Sequence, residues 1–539
     1  MPQMRSRREQ VEAHRFITSR MNQALVLANP DSIERPLRRI GVSIFASVMI
    51  LVLIFGGFAI ATLFGKGNDA PLANNVILVK ETGAVYVYIN KAKSTSPEEA
   101  PPGDPLKLWP VANFTSALLL AKPGSDGKLP VQTLKRSSLA NIPRGNFTIG
   151  IEGLPSQPPD ESELLQTERW NACSLPRNDG STAGYQLTQL VVENMEDPDM
   201  VLGDDHWMLA KTAVNETDGE VPDYFLLWNN SKFAIAGDTP RETDELISSL
   251  EFQKGQAVPI NQNVLDTLPS TAPIKPKKGT DFGTASGIVD DSGNPVTYGQ
   301  PVISGDQHYV LLHENGVDQF AEINETMTKL LETEYGDVAT ISAATRSEVG
   351  TEGDYEPKGF PTTFLSSEIW EAEGQRPAVC VVYDPTSEAN KSTETTELSL
   401  ALYDAAPDSL TNAAKSVEFD GDGNIFSEVE GLQSQTVLPP GTAVLADART
   451  NDGGTITGFT YLIDSLGARY GLVDEGITDS TQQLLGYQGV TPISVPDEMI
   501  ILIPKGADIN PHDARQQIYP DGADVPGLET ADPSAEAGG

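Results

Sequence analysis

Apolar residues follow three patterns along this chain. From Ile40 to Phe64 they run for 25 positions without a charged residue, as IGVSIFASVMILVLIFGGFAIATLF. As a helix rising about 1.5 Å per residue, the stretch is about 37 Å long, enough to cross a hydrocarbon core of about 30 Å with some tilt. It predicts a transmembrane helix. A core helix would carry a polar stripe, and a signal peptide would be shorter and nearer the terminus. Ahead of it, Ala13, Ile17, Met21, Ala24, Leu25 and Ala28 recur at helical spacing and predict one amphipathic helix ending near Asn29-Pro30. Beyond it, short apolar runs alternate with turn residues, which is the pattern of strands.

The first strand cluster, Val76 to Ile89, has two apolar runs around Glu81-Thr82-Gly83 and reads as a β-hairpin. The figure returns at Tyr224 to Phe233, Tyr309 to Val317 and Tyr461 to Tyr470, and in these three a Leu-bearing segment and another strand follow. Four degenerate copies of hairpin, short helix and strand are expected. Two intervals, 156–205 and 361–434, hold something else, and each contains one of the two cysteines, Cys173 and Cys380. The expected fold is therefore α+β. A single N-terminal transmembrane helix precedes an elongated extracytoplasmic body, with four repeats around a β-rich central domain stapled by one disulfide.

The expected boundaries are a cytoplasmic arm over 1–39, the span over 40–64, repeats over 65–155, 206–275, 299–360 and 435–512, central segments over 156–205 and 361–434, a linker over 276–298 and an acidic tail over 513–539. The tail, rich in Asp, Pro, Ala and Gly, cannot bury enough surface to fold alone.

Charge supplies the orientation. Eight arginines against four acidic residues precede the span, and cationic flanks stay in the cytoplasm. Of these, Arg35, Arg38 and Arg39 lie at headgroup depth, giving the lipid bilayer as a partner. The rest of the chain carries 29 basic and 72 acidic residues, which argues against nucleic acid, itself a polyanion. Beyond the membrane the surroundings are oxidising. A Cys173–Cys380 disulfide is the natural reading there, worth about 5 kcal/mol in the chain-entropy estimate, with two unbonded buried thiols as the other. The arm has an apolar stripe and no core of its own to enter, so it needs a partner. Its candidate contact residues are Arg8, Val11, His14, Phe16, Ile17, Met21 and Leu25.

No enzyme signature emerges. The stretch Lys122 to Leu129 lacks the first glycine and the hydroxyl of a phosphate-binding loop. Gly283-Thr284-Ala285-Ser286-Gly287 fails the nucleophile-elbow pattern, and Asp420 begins no calcium loop, since Ile425 and Gly431 stand where Gly and Glu are required. His308 and His313, five apart in a strand, point to opposite faces. No cofactor, metal site or catalytic residue is expected.

The run Arg7-Arg8-Glu9-Gln10-Val11-Glu12-Ala13-His14-Arg15-Phe16, then Pro36-Leu37-Arg38-Arg39, Thr82 to Val87, Pro110 to Ala117, Ile142-Pro143-Arg144-Gly145, Trp170 with Cys173, and Leu438-Pro439-Pro440-Gly441 resemble the EccB family of the actinobacterial type VII (ESX) secretion system. The resemblance covers nearly the whole chain and departs in the acidic Pro-Glu insertion from Ser94 to Asp104. It implies a structural subunit of an inner-membrane export complex with an FtsK-like ATPase, EccC, and with EccD and EccE. It also implies a periplasmic part that associates with its own copies, and repeats related to cell-wall-binding modules. The alternative function is a membrane-anchored peptidoglycan-binding protein, with Trp109, Trp207 and Trp228 as stacking candidates. A weaker one is the ATPase activity with which the family is sometimes labelled.

Overall fold

The computed structural model describes residues 7–27, 70–90, 105–123, 129–176, 186–214, 219, 221–357, 359–361, 378–391, 396–414, 434–450, 456–474 and 479–518. The apolar stretch from Ile40 to Phe64 lies outside them. Among the described residues no helix is long and apolar enough to cross a membrane. The chain divides into two units, one of 1–72, 77–84 and 132–142, the other comprising the remainder.

In the first unit the arm is a helix, Arg7–Leu27, which stops just ahead of Asn29-Pro30 as the pattern predicts. The predicted turn at Glu81-Thr82-Gly83 is present. Gly83 takes φ +70°, a conformation only glycine reaches without strain, and its N–H donates to the carbonyl of Val79 at 2.8 Å. The Glu81 carboxylate accepts the N–H of Arg136 at 2.8 Å, a bond that holds its pKa below the usual range.

The second unit is built on a six-stranded sheet. Its strands come from both cysteine-bearing intervals: Trp170–Pro176, Gln186–Val192 and Met200–Leu202 from the first, Ala378–Tyr383 and Leu398–Tyr403 from the second, with Ser434–Val437 on one edge. Trp170–Pro176 and Ala378–Tyr383 are central and antiparallel, and their register sets Cys173 directly opposite Cys380. Central strands are buried on both faces: Ala378–Tyr383 reads as a continuous apolar run, and Trp170–Pro176 buries Asn171 and Ser174, which donate to the Val191 carbonyl and accept the Asn261 N–H respectively.

Three further sheets share one connectivity. In 208–260 the strands Met208–Thr212, Tyr224–Trp228 and Ser231–Ile235 run antiparallel in succession. The helix Pro240–Ser249 follows, and Val258–Ile260 returns parallel to the first strand. In 301–340 the corresponding elements are Pro301–Ser304, Gln307–Glu314, Val317–Ile323, the helix Glu325–Tyr335 and Ala339–Thr340. Thr351–Asp354 adds a strand to the far edge of that sheet. In 443–496 they are Ala443–Arg449, Ile456–Asp464, Arg469–Gly471, the helix Thr481–Leu484 and Ile493–Pro496. The chain order of three strands, a helix and a strand also occurs over 76–134.

Local chemistry explains these elements. Asn229-Asn230 and Asn315-Gly316 take positive φ between paired strands, as tight hairpin turns require. Each helix opens on a side-chain cap: Thr239, Asn324 and Ser480 accept backbone N–H groups three residues on.

Each of these three sheets is a three-stranded meander, a helix and a strand, and the hairpins expected at 224, 309 and 461 are its second and third strands. Over 76–134, Val76–Val79 and Val85–Ile89 are the first two strands in chain order rather than the second and third. Segment 276–298 is not a bare linker, because Ala285–Val289 pairs with Pro295–Thr297 around a turn closed by Asp290, whose carboxylate accepts from the N–H groups of Ser292 and Asn294. The ordered chain also continues past 512. Ala514 is fully buried and Gln517–Ile518 pairs with Thr148–Ile149.

Within this unit apolar cores are shared between neighbouring modules. The central sheet shares one core with Met208, Leu227 and Val264 on one side and with Val444, Ile463 and Val495 on the other. Modules 208–260 and 301–340 share a second, in which Trp207, Leu246 and Phe252 meet Val310, Met327 and Leu331. Val87, Trp109 and Leu119 share a third with Leu445, Leu462 and Leu484.

Candidate functional site

Three regions carry the chemistry of interest. The arm helix presents its apolar residues to solvent: Val11, Phe16, Ile17 and Met21 are more than half exposed and Leu25 is 81% exposed. Ile17, Met21 and Leu25 recur every fourth residue, so they share a face. Arg8 and His14 are exposed beside them, and the Arg20 guanidinium lies 5.4 Å from the centre of the Phe16 ring. Arg35, Arg38 and Arg39 lie outside the described residues.

The second region is the disulfide. Cys173 and Cys380 are bonded, across a sequence separation of 207 residues. Both are fully buried among Leu175, Val191, Ala401, Tyr403 and Leu410, so no solvent thiol can reach them without local opening of the sheet. Sheet register alone brings them together.

The third is a groove of about 620 Å³ on the 301–340 module. One wall is Lys277, Lys278 and Gly279, the other is the hairpin tip from His313 to Gln319, and Phe282, Leu312 and Tyr355 complete it. His313 Nδ1 lies 2.6 Å from Asp318 Oδ1, which also accepts the Tyr298 hydroxyl at 2.7 Å. His313 and Tyr298 hold the Asp318 carboxyl below its ordinary range, and that carboxylate pushes the Tyr298 hydroxyl up to about 12. Lys278 reaches Glu242 at 2.7 Å and Glu334 at 3.0 Å, and both carboxylates raise its ammonium pKa well above the usual value. Tyr355 donates its hydroxyl to the Lys277 carbonyl.

The remaining histidines have local partners. His308 meets Thr328 Oγ1 at 3.2 Å on the helix-facing side of its strand, opposite His313, as their odd spacing predicts. His206 and His512 sit by Asp205 and Asp513. Among the described residues no three His, Cys, Asp or Glu side chains gather where they could hold a metal ion. Ser286 donates to the Val296 carbonyl inside a hairpin, so Gly283 to Gly287 is turn and strand. The acidic stretch 418–424 lies outside the described residues, as does 124–128 of the 122–129 loop.

Two of the three stacking candidates are lost to the core: Trp207 is fully buried and Trp109 is 7% exposed. Trp228 is half-buried and donates its indole N–H to the Asp204 carbonyl. Tyr298 and Lys278 lie in 276–298, a stretch whose sequence predicts a linker, so neither the Tyr298–Asp318–His313 chain nor the Lys278 bridge is legible there. The Asp290 to Asn294 turn between alternating residues was the available signal.

The family model described as type VII secretion system ESX-1, transport TM domain B, matches residues 4–519. The chain belongs to the EccB family. It is 23% identical over 504 residues to the ESX-1 secretion system ATPase EccB1 of Mycobacterium tuberculosis H37Rv, covering 92% of each chain. Over 186 residues, 34% of each chain, it is 27% identical to the EccB1 of Mycolicibacterium smegmatis MKD8. Chains of solved ESX assemblies share its fold. An intact ESX-5 inner membrane complex matches at TM-score 0.58 and 17% identity over 98% of this chain and 99% of that one. An EccB3 dimer from the ESX-3 core complex matches at TM-score 0.55 and 17% identity over 83% and 100%.

Proposed function

We propose that the chain is a structural subunit of a type VII secretion inner-membrane complex. It crosses the membrane once through 40–64, with the arm in the cytoplasm and the bulk in the periplasm. Ile17, Met21 and Leu25 dock the arm on the membrane part of an EccC-like ATPase, with EccD-like and EccE-like subunits alongside, and the periplasmic modules associate with second copies. Modules 208–260, 301–340 and 443–496, with segment 76–134, are four copies of one repeat. The observation that carries this reading is the row of exposed apolar side chains on the arm helix, which has no buried face among the described residues. Burial of Trp109 and Trp207 weighs against wall binding through those rings.

Co-purification of a tagged full-length chain from mild detergent tests it. The unaltered chain should bring down an FtsK-like ATPase, and Ile17→Ser, Met21→Ser, Leu25→Ser together should lose it while the body's melting temperature stays put. Full retention of the ATPase by the triple variant would sink the docking assignment.

A further inference from the structure

The groove on the 301–340 module combines features that the assembly role leaves unused. Its walls differ in charge: Lys277 and Lys278 stand on one side, Glu314 and the amides of Asn315 and Gln319 on the other, with Phe282 and Tyr355 between them. Lys278 is neutralised by Glu242 and Glu334. Lys277 and Glu314 are both exposed, and among the described residues neither forms an ion pair. His313 is fixed through Nδ1 by Asp318, which leaves Nε2 as the ring nitrogen for a ligand. A volume of about 620 Å³ lies in the range of small-ligand sites. One unpaired cation, an anion met by the neutral Gln319 amide at 3.4 Å, a second side-chain amide on Asn315 and an aromatic surface suit a short zwitterion better than a simple anion, which Glu314 would repel.

We propose that this groove binds a short peptide with free ends, its carboxylate on Lys277, its ammonium on Glu314, its amides on His313 Nε2, Asn315 and Gln319, and an apolar side chain against Phe282. Assembly does not require this site, so the two readings stand or fall separately.

Equilibrium dialysis of the full chain in detergent against the tripeptide Ala-Phe-Ala tests the site. The free tripeptide should bind saturably, and its C-terminal amide and its N-acetyl form should each bind about tenfold more weakly, the loss of one charge-assisted contact. In Lys277→Gln the acid and amide should bind alike, and in Glu314→Gln the free and acetylated forms should. Val317→Trp, a bulky change at a lining residue that is 59% exposed, should abolish binding with the melting temperature unchanged. Absence of saturable binding, equal affinity for free and capped tripeptides, or undiminished binding by Val317→Trp would each overturn the proposal.

Discussion

Two junctions in this molecule are built from opposite materials. Where modules 208–260 and 301–340 meet, an apolar core is overlaid by an ionic bridge, with Lys278 between Glu242 and Glu334 and Lys275 on Asp238 at 2.6 Å. Where the central sheet meets module 443–496, the polar link is inside. Arg449 is 1% exposed and donates to the Asn390 carbonyl at 3.1 Å and to Thr396 Oγ1 at 2.8 Å, and Tyr383 donates to the Ser494 carbonyl. Exposed charges exchange partners with water and salt at small cost, whereas buried donors and acceptors that lose a partner keep their full desolvation penalty. The first junction is thus adjustable by conditions and the second is fixed.

The largest test bears on the fixed side. Cys173→Ala with Cys380→Ala should remove about 5 kcal/mol from the urea-unfolding stability of the oxidised chain, because the cross-link closes a 207-residue separation. Hydrogen exchange in the helix Pro240–Ser249 should change less than in Trp170–Pro176. Equal loss in both would mean that the two junctions melt as one.

Next comes the apolar core beneath the ionic bridge. Trp207→Ala should cost about 3–5 kcal/mol, since the ring is fully buried with the Phe252 ring centroid 6.4 Å away. Melting temperature separates this from the wall-binding alternative, in which retention on purified peptidoglycan would fall with stability unchanged. Polar links then rank the junctions directly. Arg449→Met should cost about 1–3 kcal/mol at any salt concentration, because it strands the Asn390 carbonyl and the Thr396 hydroxyl. Lys278→Gln should cost under about 1 kcal/mol, and 1 M salt should erase the difference from the unaltered chain.

How much of this was readable in the sequence depends on what each pattern reports. Helical spacing from Ala13 to Ala28 places the end of the arm helix near Asn29-Pro30, close to the observed end at Leu27, because amphipathic period is local, while the six helical residues ahead of Ala13 lie outside that pattern. The same spacing does not say who covers the stripe, and among the described residues nothing does. The apolar run Val379 to Tyr383 suits a strand, yet its central place is set only by the long-range pairing that puts Cys380 opposite Cys173. Meander strands such as Met208–Thr212 escaped because Lys211 and Thr212 broke the apolar run, and module 208–260 was read from its second strand onward. The groove was the least legible of all. Its residues come from 277–282, 312–321 and 355, and no local period connects segments that only the shared core of Phe282, Tyr335 and Tyr355 draws together.

The smallest expected effect is also the one that separates the junctions by sign. Glu242 has a depressed pKa, chiefly through Lys278, and Asp318 has one chiefly through His313. A carboxyl with a lower pKa in the folded state contributes stability that is present above its unfolded value, about 4, and is lost as pH falls through the folded one. Asp464 behaves oppositely. Burial raises its pKa although its Oδ1 accepts the N–H groups of Leu466 and Ala468, so its contribution is full below the unfolded value and lost as pH rises through the folded one. Acidification from pH 7 to about 3.5 should therefore loosen Pro240–Ser249 by under about 1 kcal/mol while tightening the 464–468 turn of module 443–496. Opening free energies from hydrogen exchange, corrected for intrinsic rates, read both at once. Asp464→Asn should flatten the second trend and leave the first. If acid loosens the two regions in parallel, net charge rather than these named carboxyls governs the response, and the division into an adjustable and a fixed junction fails.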